Sequence, residues 1–179
     1  MSWKKTPFVI TTTDKTPILQ CVGHDMFNKK QVILDGQGNH LVRLNSKALP
    51  YIAEDAGGNE LVRLSNAGRI TPKLQPTYLD HFTGLRTELS LVGPLSGDVL
   101  DIVAGDKPIA RYRKKWDGRD TVHGAATTWL EVAQDVDIVL MAVICISIDE
   151  FREAQRKARN NHESGPGRLG TLTKSSMTF

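Results

Sequence analysis

Cysteine is scarce: Cys21 and Cys145 are the only two among 179 residues. So small a number excludes a disulfide framework, and no CxxC or Cys/His cluster supplies zinc-site spacing. The opening residues, MSWKKTPFVITTT, lack the apolar segment of about 7–15 residues that a secretory signal carries. A reducing, cytoplasmic location is the expectation. Also missing are a P-loop, a dinucleotide-binding glycine fingerprint and a G-x-S-x-G elbow. The five histidines are scattered, and none stands beside Ser or Cys in a nucleophile motif. The chain is therefore not expected to be an enzyme, nor to need a cofactor or metal.

A long hydrophobic run is lacking too. The most apolar stretch, Ile138 to Ile148, has eleven residues, with Ser147 its one polar member. A membrane-crossing helix needs roughly 20 apolar residues, so this run reads as a core helix. Asp135 and Asp137 close one end; Asp149 and Glu150 close the other. Carrying the helix outward into lipid would bury those carboxylates, at about 2.5–3.5 kcal/mol each. Apolar residues cover every face of the run, which calls for protein on all sides. A carboxylate at Asp135 or Asp137 suits the helix N-terminus. Beyond Phe151 the helix continues as the charged segment REAQRKAR.

Most of what precedes it reads as short strands. DGQGNHLVRL at 35–44 and DAGGNELVRL at 55–64 agree at seven of ten positions, twenty residues apart. Apolar residues lead into an Asp/Gly turn, and Leu-Val-Arg-Leu leads out, the pattern of a β-hairpin. Calcium loops are the sharper alternative, but the EF-hand ligand pattern is not met. A third hairpin is predicted over 102–115, and a fourth over 8–22, where Pro17 limits pairing. Further strands are predicted near 69–75, 86–92, 98–103 and 127–133. Within TTWLEV, Thr128, Leu130 and Val132 alternate with Thr127, Trp129 and Glu131. Such a large sheet must curl or close. The expected fold is mainly β, a closed barrel of about twelve strands enclosing a central hydrophobic C-terminal helix.

The D-x-x-G-N-x-L-V-R-L hairpins, the strand IARYRKK at 109–115 and the closing EVAQDVDIVLMAVICISIDEF at 131–151 carry a resemblance. Over roughly residues 8–158 the chain resembles the tubby C-terminal-like superfamily. It is most similar to LURP-one-related proteins and is also similar to phospholipid scramblases. The resemblance implies a twelve-stranded barrel around a central helix, phosphoinositide binding through basic residues as in tubby domains, or a role in defence signalling. Scramblase-like calcium-driven lipid transfer is the weaker implication. The chain has no cysteine-rich segment, and GAATTWLEVAQD offers only Glu131 and Asp135 as acidic ligands.

Residues 1–158 are assigned to this domain, with the helix at about 136–158, and 159–179 to a disordered basic tail. From Arg152 onward six basic residues face two acidic ones, so +4 of charge sits on a body of about −1. The candidate anionic-lipid site is Arg111, Arg113, Lys114, Lys115 and Arg119, with Tyr112 and Trp116 interleaved. Alternation puts Arg111, Arg113 and Lys115 on one face of a strand, and Tyr112 and Lys114 on the other. The plainer alternative for this cluster is an exposed strand kept soluble by its charges. The expected function is a non-enzymatic binding module for anionic phospholipid head groups, phosphoinositides among them, with no transmembrane span. Its expected place is peripheral, at the inner face of the plasma membrane, with the nucleus as an alternative. A protein-interaction scaffold in stress or defence signalling is the runner-up. Nucleic acid is not an expected partner.

Overall fold

The structure is a computed structural model and describes residues 8–25, 30–68, 73–79, 83–115 and 127–163. Eleven strands follow one another in an antiparallel meander, each paired with the next. They run β1 (Phe8–Thr11), β2 (Pro17–Asp25), β3 (Lys30–Asp35), β4 (His40–Asn45), β5 (Tyr51–Asp55) and β6 (Glu60–Asn66). Then come β7 (Leu74–Leu79), β8 (Arg86–Val92), β9 (Val99–Ala104), β10 (Lys107–Lys115) and β11 (Thr127–Val132), followed by helix α1 (Ile138–Glu163).

The repeated hairpins owe their shape to one aspartate each. Asp35 Oδ1 accepts the amides of Gln37 and Asn39, both at 2.8 Å, while its Oδ2 accepts Asn39 Nδ2 at 2.8 Å. Asp55 receives the amide and the side-chain amide of Asn59 in the same way, both at 2.8 Å. Gly38 and Gly58 take φ of 89° and 86°, a left-handed conformation that a side chain would oppose. The aspartates thus serve as turn acceptors, saturated by their own loops. At Pro17 the chain solves its pairing problem by opening β2 there, beside a register shift in β1.

Alternation along the strands then sorts the side chains. Ile33, Val42, Leu44, Val62, Leu64, Leu89, Leu100, Ile102 and Tyr112 point inward and are buried. They meet α1, in which every residue from Met141 to Ile148 is buried. A helix covered on all sides must have the sheet curled around it. Asp137 caps its start, with Oδ1 accepting the amides of Val139 at 2.7 Å and Leu140 at 3.2 Å. Ser147 bonds back to the Val143 carbonyl at 2.8 Å, which satisfies the one buried hydroxyl of the run.

Three expectations need adjusting. The sheet has eleven described strands, not about twelve, and among the described residues no ladder joins β1 to β11. Closure by hydrogen bonds is therefore absent from the described sheet: β1 offers only four residues, all registered against β2. The helix also runs on to Glu163, five residues past the expected end. Glu153 and Lys157 pair at 2.5 Å across the turn just before that extension, supporting helix up to its start. Residues 69–72 of an expected strand and residues 164–179 of the tail lie outside the described residues.

Candidate functional site

Helix α1 enters the sheet just after β11 and leaves it at the far end of β10. Its exit is marked by two carboxylates that face different walls. Glu150 accepts Gln31 Nε2 at 2.6 Å, and Gln31 Oε1 in turn accepts the Cys21 thiol at 3.3 Å. Asp149 accepts the Tyr112 hydroxyl at 2.7 Å and lies 3.6 Å from both Lys114 Nζ and Arg152 Nη1. Burial, and then the Asp149 charge, push the Tyr112 phenol well above its usual range, so the hydroxyl remains a donor. Burial likewise raises the Cys145 thiol, which is inert as a nucleophile.

Arg152 is the strut of this exit. Its Nε donates to the Leu95 carbonyl, its Nη2 donates to Gly97 O at 2.8 Å, and its guanidinium lies 4.9 Å from the centre of the Tyr112 ring. The β8–β9 connection, Gly93–Asp98, is thereby tied to the helix. Arg152→Met keeps the apolar stem but leaves both carbonyls unmatched. A thermal melt is expected to show a loss of about 2–3 kcal/mol, the scale of hydrogen bonds from a charged donor. Amide exchange should rise locally over residues 93–98. An unchanged melt would remove Arg152 from this role.

Between that tied loop, the start of β7 and the outgoing helix lies an open groove of about 1220 Å³. Five cations line it, Lys73, Lys114, Arg152, Arg156 and Arg159, against three carboxylates, Asp98, Asp149 and Glu153. Arg152, Arg156 and Arg159 recur at i, i+4 and i+7, one face of a helix. The first is consumed by the loop. Lys73, Arg156 and Arg159 are exposed, and among the described residues no carboxylate lies within ion-pair distance of them.

The basic cluster expected on β10 is divided by the strand. Arg111 and Arg113 point outward; Tyr112 and Lys114 point inward, as alternation requires. Arg111 meets Asp101 on β9 with Nε–Oδ1 at 2.6 Å and Nη2–Oδ2 at 3.0 Å. This two-pronged contact holds Asp101 below the usual carboxylate range and raises Arg111. Arg113 Nη2 lies 3.3 Å from Glu131 Oε1. Of Arg111, Arg113 and Lys114, only Lys114 is among the residues lining the groove. The backbone of Lys115 closes β10, whereas Trp116 and Arg119 lie outside the described residues. Sequence reasoning missed Lys73, Arg156 and Arg159 as site residues. The helical spacing of the arginines was a visible signal; Lys73 had none.

The family profile described as LURP-one-related matches residues 1–149. The chain belongs to that family. In this LURP-one-related chain the match covers the whole described sheet and ends at Asp149, where α1 emerges, so Arg152, Arg156 and Arg159 lie beyond it. No curated protein and no solved structure matches the chain. Among the described residues no helix is long and apolar enough to cross a membrane, and no cluster of His, Cys, Asp or Glu has metal-site geometry.

Proposed function

We propose that this LURP-one-related chain is a non-enzymatic binding module that takes anionic phospholipid head groups, phosphoinositides among them, into the groove at the foot of α1. The observation that carries the reading is the convergence of Lys73, Arg156 and Arg159, each without an ion-pair partner among the described residues, on one open groove whose cations outnumber its carboxylates. Cations at such a site gain by neutralising phosphate, each contributing about 1 kcal/mol near an anionic leaflet. Lys114, shared with Asp149, gives the groove a fourth cation, and the tied β8–β9 loop gives it a fixed wall. The same reading places the family in the tubby-like superfamily and takes the curled sheet as its closed barrel. It puts the protein peripherally at the cytoplasmic leaflet, where anionic lipids concentrate.

Co-sedimentation with vesicles across a range of head groups tests the reading. Binding is expected only where anionic lipid is present, rising with head-group charge and weakening with salt. Equal binding to neutral and anionic vesicles would contradict it. If no vesicle binds while a stable protein partner is recovered, the groove instead serves the scaffold role in stress or defence signalling.

A further inference from the structure

Outside the groove, the surface at the same end of the sheet has a composition of its own. Strand register sets Val99, Arg113 and Trp129 side by side across β9, β10 and β11. On the outer face Val99 is 48% exposed and Trp129 51% exposed, large values for apolar side chains in neighbouring strands. Val92 closes β8 next to them, 55% exposed and in register with Asp101. That second row continues from Val92 through Asp101 and Arg111 to Glu131, so charge alternates across β9, β10 and β11 and Val92 is its apolar end. Val92, Val99 and Trp129 thus lie together toward the rim nearest the helix exit, apart from exposed Val9, Leu85 and Ile138.

That rim is continuous with the groove. Lys114, which lines the groove, follows Arg113 directly, and its amide donates to Asp98 O at 2.7 Å. Asp98, another lining residue, immediately precedes Val99. One end of the molecule therefore combines an exposed tryptophan, two exposed valines, an arginine between them, and a cationic groove alongside. Tryptophan prefers the boundary of water and lipid, where its ring is buried and its N–H stays wet. Cations beside it match anionic head groups, and apolar burial adds to that attraction.

We propose that the protein docks end-on to an anionic bilayer, with Val92, Val99 and Trp129 seated in the interfacial layer and the groove beside them facing the head groups. The proposal rests on the lipid-binding reading and adds an orientation to it: the axis of α1 stands toward the membrane, and the Asp35 and Asp55 turns point away. Arg113 exchanges its exposed 3.3 Å contact with Glu131 for phosphate, while Arg111, held in two-pronged fashion by Asp101, stays above the surface.

Fluorescence from a chain in which Trp3 and Trp116 are Phe, leaving Trp129 alone, is the test. With vesicles of phosphatidylcholine and phosphatidylserine, Trp129 emission should shift to shorter wavelength and be quenched by brominated acyl chains. Circular dichroism checks that this variant folds. A second chain, with Val92→Thr, Val99→Thr and Trp129→Ser and its native tryptophans otherwise kept, should bind about tenfold more weakly with an unchanged salt dependence. Vesicle binding with unshifted, unquenched Trp129 would overturn the docking and leave the groove reading standing. No binding of the parent chain to anionic vesicles would overturn both.

Discussion

Ile144→Asp is expected to leave the chain unable to fold. Ile144 lies at the middle of α1, fully buried, with buried helix residues on either side and the sheet's inward leucines around it. Among the described residues no cation reaches that depth to pair with a new carboxylate; Arg152 and Lys114 are engaged at the exit. The desolvation penalty of an unpaired buried ion is several kcal/mol. Losing the aliphatic contacts adds about 2–5 kcal/mol. Together these match the whole stability of an ordinary domain, about 5–15 kcal/mol. Circular dichroism and thermal melting should show no cooperative transition. Ile138→Asp is the control, because Ile138 is 38% exposed at the capped start of the helix and should tolerate the change. A cooperatively folded Ile144→Asp variant would mean that the helix does not organise the core.

Lys73→Gln, Arg156→Gln and Arg159→Gln, made together, should weaken binding to anionic vesicles about a hundredfold. The estimate takes about 1 kcal/mol for each cation near an anionic leaflet, hence roughly 3 kcal/mol in all. All three side chains are exposed, and none has an ion-pair partner among the described residues, so the melting temperature should hardly move. Arg111→Gln should matter much less. Its guanidinium is already satisfied by Asp101, and removing it leaves that carboxylate to repel the membrane only from the outer face. Lys107→Gln, at the opposite end of β10, is a control for net charge, since screening fades such an effect over about 10 Å. Equal binding by the parent and triple variants would move the lipid site elsewhere.

Much of the architecture was legible because its signals are local. The Asp/Gly turns announce themselves within five residues, and the Asp35 and Asp55 geometries use only atoms of their own loops. The apolar run of α1 is legible for the same reason: its length, its flanking carboxylates and its lack of a polar face are all within one segment. What sequence reading could not supply is pairing between distant segments. Arg111, Arg113 and Lys114 read as a basic patch because their partners Asp101, Glu131 and Asp149 lie 10 to 35 residues away in the chain. The groove is hidden for a similar reason. Lys73 precedes β7, whereas Arg156 and Arg159 lie in the outer part of α1, and only the curling of the five strands between them brings them together. The expected closure of the barrel was not legible either: no ladder joins β1 to β11 among the described residues, and an edge pairing depends on where a curled sheet ends rather than on any motif.

The most direct measurement is a nuclear magnetic resonance titration with a short-chain anionic phospholipid held below its micelle concentration. Arginine side-chain Nε–Hε signals and lysine Nζ signals report each cation separately. The account predicts saturable shifts at Arg156, Arg159 and Lys73, with a smaller change at Lys114 and none at Arg111. Shifts confined to Arg111 and Arg113, or a spectrum unmoved by the lipid, would contradict it.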